Sequence, residues 1–212
     1  MPADSVTEPK SRDKGTFLLS CQRKRNQTNG TRETSPCPGL NKQQKALWKI
    51  RNATGDDHWF IRKMMFEAVF IPEGQERPGV DVIDLPELQK YTWDWMKPTD
   101  SGCIAIAEGK PVGAAWSRLF TAEEPGYGYV AEGIPEVSMA VDFEWRGKGV
   151  GSDLLDRLCQ ILQEKGYRQI SLSVDQRNPA VSLYRRKGFH VHEVGKTDYV
   201  MTQLIPASEE QV

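Results

Sequence analysis

Residues 139–151 read Met139-Ala140-Val141-Asp142-Phe143-Glu144-Trp145-Arg146-Gly147-Lys148-Gly149-Val150-Gly151. Met139 and Val141 alternate with Ala140 as in a strand, and the glycines mark a tight turn. From Gly149 to Lys165 the apolar residues Val150, Leu154, Leu155, Leu158, Ile161 and Leu162 recur with a helical period. A helix start presents backbone N–H groups that have no intrahelical partner, at the positive end of the dipole. Glycines remove the side chains that would bar an oxygen anion from those donors. Arg146 and Lys148 add positive charge beside them. The stretch therefore predicts a cradle for a pyrophosphate.

Two nucleotide-binding readings fail on particular residues. A Walker A loop needs Ser or Thr after its lysine, but Gly149 follows Lys148 and the loop's first glycine is missing. A dinucleotide fingerprint starting at Gly147 would need a sixth-position glycine, and Ser152 stands there.

Outward from this stretch, strand and helix signals alternate. Gln169–Val174 alternates through Ile170, Leu172 and Val174, and Asn178-Pro179 opens a short helix with a capping residue and Pro at its first position. Phe189–Val194 and Tyr199–Leu204 read as a closing pair of strands, with Val191 facing the core. Upstream, Glu136–Asp142 is a strand, and Gly102–Glu108 and Lys110–Phe120 read as strand, turn and strand. Ala46–Ala53 alternates like another strand, followed by a helix from Thr54 with Phe60, Ile61, Met64, Met65, Ala68 and Val69 on its apolar face. Residues 71–85 and 121–135 read as loops, with a short helix around Pro86–Trp95 between them. The expected fold is α/β, a mixed central sheet of about seven strands flanked by about four helices, without an internal repeat.

Composition divides the chain. Over 212 residues the formal net charge is −1, with 38% hydrophobic and 27% charged residues, as in ordinary globular proteins. Residues 1–45 carry nine basic side chains against four acidic ones, and the remainder carries 19 against 25. Phe17-Leu18-Leu19 is the first segment's only apolar cluster, so 1–45 is expected to be a disordered basic extension. The folded domain is expected over 46–205, with a flexible tail at 206–212. No apolar run reaches the roughly 20 residues that cross a bilayer. No secretory signal is legible, so a cytoplasmic protein is expected. The near-neutral charge speaks against nucleic acid as the main partner. Cysteines 21, 37, 103 and 159 form no metal-binding spacing, Cys103 and Cys159 fall in apolar patterns, and no metal site is expected.

Arg146-Gly147-Lys148-Gly149-Val150-Gly151 resembles the Arg/Gln-x-x-Gly-x-Gly/Ala motif of the GNAT superfamily of N-acetyltransferases. Asn178-Pro179-Ala180-Val181-Ser182-Leu183-Tyr184-Arg185-Arg186-Lys187-Gly188-Phe189 is similar to that family's second signature, Asn-x-x-Ala-x-x-Leu-Tyr-x-x-x-Gly-Phe. The family's asparagine lies three residues before the alanine, where this chain has Arg177; Asn178 lies two before it. The resemblance spans about residues 46–205 with the same element order. It implies acetyl-CoA as co-substrate and direct acetyl transfer to a primary amine, of a small molecule or a protein. A second copy of the chain is a further expected partner. The pyrophosphate would lie on Arg146, Gly147, Lys148, Gly149, Val150 and Gly151. The pantetheine arm would lie along the backbone of Met139, Ala140 and Val141, with Asn178 beside it.

The resemblance also points to two catalytic side chains. Tyr184 would be the general acid toward the departing thiolate, since a phenol with an ordinary pKa of about 10 keeps its proton at neutral pH. It can do so while packing its ring in the core. Glu136, at the start of the strand before the glycine loop, is the candidate base, against the readings of an exposed strand-end acid and of a water relay. Ser173 stands on the neighbouring strand where some relatives carry a glutamate. His190 and His192 read as surface residues. The alternative class is a non-catalytic acyl-CoA-binding or partner-binding module on the same fold.

Overall fold

The computed structural model describes residues 47–207; the extension expected over 1–45, and residues 208–212 of the expected tail, lie outside them. Its strands are β1 (Lys49–Asn52), β2 (Ser101–Ala107), β3 (Lys110–Arg118), β4 (Glu136–Val141), β5 (Gln169–Asp175), β6 (His190–Val194) and β7 (Asp198–Leu204). The α-helices are α1 (His58–Ala68), α2 (Pro86–Gln89), α3 (Val150–Glu164) and α4 (Ala180–Arg186). One sheet holds all seven strands in the order β1-β2-β3-β4-β5-β7-β6. Every neighbouring pair is antiparallel except β4 and β5. A parallel pair needs a crossover, and α3 supplies it. The expected mixed α/β architecture is the one found.

All six residues of β4 are buried, so both of its faces are covered. α1 and α3 both contact β4, and Leu154, Leu158 and Leu162 carry the α3 stripe into the core. α1 is entered through a single 3-10 turn, Gly55–Asp57. The Asp57 carboxylate takes two hydrogen bonds from Arg51, each 2.7 Å, one from the Thr54 backbone N–H at 2.8 Å and one from its hydroxyl at 3.1 Å.

The helix expected around 86–95 is a single turn, α2, followed by turns as far as Asp94. Arg118 anchors these turns. Its guanidinium donates to the carbonyls of Lys90 (2.7 Å), Trp93 (2.6 Å) and Asp94 (3.3 Å), and pairs with Asp100 at 2.6 Å. The helix cannot continue through Asp94 (φ 50) and Met96 (φ 74), whose backbone is left-handed. The Arg118 and Asp100 side chains are 4% and 0% exposed, a buried ion pair inside the sheet's apolar run.

Val191 departs from the expectation that it faces the core. β6 is the last strand of the sheet and is exposed at every residue. Its register shifts between Val191 and Glu193, which breaks the two-residue alternation on which the expectation rested.

Candidate active site

β4 pairs with β3 along its whole length, from Gly113↔Val141 to Arg118↔Glu136. Toward β5 the described ladder holds one pair, Glu136↔Ser171. Beyond it the strands diverge, leaving a fork whose β4 side is Val137–Val141. The chain leaves the fork through Asp142, whose N–H bonds the Val112 carbonyl at 2.8 Å. It then makes one 3-10 turn, Phe143–Trp145, and enters α3.

Gly147 (φ 73) and Gly149 (φ 103) adopt left-handed backbone, and Gly149 occupies the α3 N-cap. A side chain at either position would be strained. The cap has no side-chain hydrogen bond of its own, and the first-turn N–H groups of α3 have no intrahelical acceptor. A β-carbon on Gly151 would lie 3.5 Å from the Met139 methyl and 3.7 Å from Leu183, so β4, α3 and α4 converge at the loop. The structure thus brings Met139, Ala140 and Val141 together with residues 146–151.

The two cations of the loop are placed differently. Lys148 Nζ lies 4.6 Å over the Trp145 ring, which meets Trp48 edge-on at 6.4 Å. Arg146 turns back on the protein. Its Nε donates to the Val141 carbonyl at 2.7 Å, and its Nη2 lies 3.0 Å from Glu67 Oε2 on α1. The other Glu67 oxygen pairs with Arg77 at 3.2 Å. Arg146 is therefore a brace between β4, α1 and the loop.

Asn178 is buried and caps α4, its Oδ1 accepting the Ala180 N–H at 2.9 Å. Tyr184 is 0% exposed, with its ring edge-on to Phe189 at 5.6 Å. It follows Leu183 on α4, next to the residue that meets the glycine loop.

Glu136 is 2% exposed, which removes the reading of an exposed strand-end acid. The Tyr91 hydroxyl donates to Glu136 Oε1 at 2.8 Å and accepts the Tyr127 backbone N–H at 2.6 Å. Burial, then the Glu136 carboxylate, push the Tyr91 phenol well above its ordinary value. A β-carbon on Gly126 would overlap Glu136 Oε2 (2.1 Å), and one on Gly128 would overlap the β5 backbone at Leu172–Ser173 (2.5 Å). The segment read as an ordinary loop is laid against the fork. Tyr91, Gly126 and Gly128 are the residues that sequence reasoning missed; the Gly-Tyr-Gly spacing is the signal that could have found them.

No helix of the described residues is long and apolar enough to cross a membrane. Among those residues no three His, Cys, Asp or Glu side chains gather as metal ligands would. Burial raises the Cys103 thiol to about 12 and the Cys159 thiol to about 11, so neither is a ready nucleophile.

The acetyltransferase (GNAT) family matches residues 66–189, more than half of the chain. The chain belongs to this family. This GNAT chain is 31% identical to the mycothiol acetyltransferase of Thermobifida fusca over 124 residues, 56% of the chain and 37% of that protein. It is 29% identical to an uncharacterised N-acetyltransferase of Methanocaldococcus jannaschii over 159 residues, 70% of the chain and 63% of that protein. It therefore spans from about a third to somewhat under two thirds of the length of these curated relatives. Among solved structures it is similar to the ribosomal-protein-S18-alanine N-acetyltransferase of Escherichia coli (TM-score 0.53, 16% identity, 78% of this chain and 98% of that one). It is also similar to a phosphinothricin acetyltransferase of Sinorhizobium meliloti in complex with AcCoA (TM-score 0.52, 20% identity, 77% and 95%). At these identities the likeness is one of fold.

Proposed function

We propose that this GNAT chain transfers an acetyl group from acetyl-CoA to a primary amine by direct attack in a ternary complex. The observation that carries the reading is the β4–β5 fork opening onto a glycine-capped helix N-terminus. The α3 N-terminus and residues 147–151 offer the pyrophosphate backbone donors and a positive dipole. Lys148 adds a cation, and Arg146 holds the loop to β4 and α1. The strand backbone of Met139–Val141 offers the pantetheine arm its hydrogen bonds, and the acyl carbonyl oxygen a donor. Asn178 fixes the start of α4 beside it.

The co-substrate supplies an activated thioester; the chain supplies position and protons. Glu136 takes the proton of the attacking amine, and Tyr184 gives one to the departing sulfur. The Methanocaldococcus jannaschii relative is named an N-acetyltransferase, which supports an amine as the acceptor class; the identity of the amine is open. The burial of Glu136 favours one other reading, a non-catalytic acyl-CoA-binding module on this fold. A second copy of the chain as partner, and a cytoplasmic location, stay as proposals.

The test has two arms. Acetyl-CoA at about 100 times its dissociation constant stabilises the fold by about 2.7 kcal/mol, read as a rise in Tm. Gly149→Val, strained at φ 103, abolishes that rise. CoA release is then measured with a panel of amines: an alanine-initiated peptide, a lysine peptide, an amino sugar, a polyamine and an amino acid. A Tm shift without CoA release from any of them supports the binding module.

A further inference from the structure

Tyr91 lies two residues past α2 on a segment that is held from several sides. Arg118 fixes its neighbours through the carbonyls of Lys90 and Trp93, and the Trp116 indole donates to the Tyr91 carbonyl at 3.2 Å. The Tyr91 ring meets Phe120 at 4.9 Å and stacks on Tyr127 at 6.2 Å with 9° between planes. The hydroxyl of this buried residue therefore has a fixed place. Because it accepts the Tyr127 N–H, its own proton is left for Glu136 Oε1. On the other side, Gly126 lies so close that a β-carbon would occupy the position of Oε2.

We propose that Tyr91 is a positioning residue for Glu136: its phenol orients the carboxylate and holds it ionised at the closed end of the fork. The inference rests on the reading of Glu136 as the base. A carboxylate nine-tenths or more removed from water is driven toward its neutral form, which takes no proton. A hydrogen bond donated to the charged form opposes that drive. The phenol is suited to this task because it stays protonated through the working range, its own ionisation pushed upward by burial. The other charged and titratable groups around Glu136 are Arg118, its cross-strand neighbour, which is paired with Asp100, and Tyr127 on the covering segment. Glu87 acts on Tyr127, and Lys90 bonds the Pro125 carbonyl at 2.5 Å. Tyr91 reaches Glu136 with a direct hydrogen bond, its hydroxyl 2.8 Å from Oε1.

The experiment is a titration of the full chain carrying carbon-13 at Cδ of glutamate, in which the Glu136 signal is the one lost in Glu136→Gln. Tyr91→Phe keeps both ring contacts and removes one hydroxyl. Its Glu136 midpoint rises by about one pH unit. The acid limb of kcat/KM, for the panel amine with the fastest CoA release, moves upward with it and the plateau returns at high pH. An unmoved midpoint, or a rate lowered equally at every pH, overturns the inference. Gly126→Ala is a second variant, in which a methyl presses on the carboxylate (2.1 Å) and on the Phe120 ring (2.7 Å) that packs against Tyr91. It lowers kcat by about tenfold or more while the acetyl-CoA KM holds; an unchanged kcat counts against a set position for Glu136. An acid limb that persists in Glu136→Gln overturns the base reading itself, and the titration still reports separately whether Tyr91 governs the carboxylate.

Discussion

The Glu67 carboxylate lies 3.0 Å from the Arg146 guanidinium, an acid set beside the loop proposed to receive an anion. By charge alone, removing it would strengthen binding of a pyrophosphate. By geometry it would do the reverse, because Glu67 fixes the arginine that ties the loop to the Val141 carbonyl. Geometry is expected to win. Glu67→Gln weakens acetyl-CoA binding by about 1 kcal/mol or less, roughly the worth of a partly exposed ion pair, read by calorimetry. Tighter binding would mean that Arg146 is freed to meet the phosphates directly.

Tyr184→Phe separates packing from proton transfer. The ring and its edge contact with Phe189 remain, so acetyl-CoA affinity and Tm stay close to those of the parent. Turnover falls by about 10²–10⁴-fold when chemistry limits the rate, the usual worth of a positioned acid. Single-turnover kinetics make the measurement, and unchanged chemistry there removes Tyr184 from the mechanism.

Arg118→Leu leaves the buried Asp100 carboxylate without its guanidinium and three carbonyls without their donor. The expected cost is about 3–5 kcal/mol, seen as a lower urea midpoint. Replacing Asp100 by Leu in the same chain recovers much of that loss, because no uncompensated charge is left inside. A double variant as unstable as the single one would show that the carbonyl contacts dominate.

Asp57 gives a stability that depends on pH. The Arg51 guanidinium, helped by the Thr54 N–H, holds its carboxyl below the ordinary range even though burial pushes the other way. A group depressed on folding contributes fully above its unfolded value, about 3.9, and loses that contribution as pH falls through its folded value. Asp57→Asn therefore costs about 1 kcal/mol near pH 7, the usual worth of a cap. The gap between variant and parent narrows below about pH 4. Urea titrations at the two pH values decide it, and an equal gap at both would assign the effect to packing.

The strand, glycine turn and helix around residues 139–165 were legible because each signal is local: alternation, a turn residue and a 3.6-residue period. Only the resemblance placed a ligand arm along Met139–Val141, since nothing in β4 or β5 taken singly says that they part after Glu136. What was illegible came from distance along the chain. Tyr91 meets Glu136 across 45 residues, and the glycines at 126 and 128 are required by what lies against them. Arg146 counted as a cation for phosphate because its charge is visible in sequence and its acceptor, Glu67, is not. The turn at Lys90–Asp94 was obscured for the same reason, the arginine that anchors its carbonyls lying on β3.

Lys148 standing 4.6 Å over the Trp145 indole gives this protein an optical reporter of its own. Indole emission responds to a cation held against the ring, and on the proposed reading an arriving pyrophosphate competes for that same ammonium. Filling the cradle should therefore change the light emitted by one tryptophan. The change should vanish in Trp145→Phe, so that occupancy can be followed by stopped-flow fluorescence without a dye, a coupled enzyme or knowledge of the acceptor.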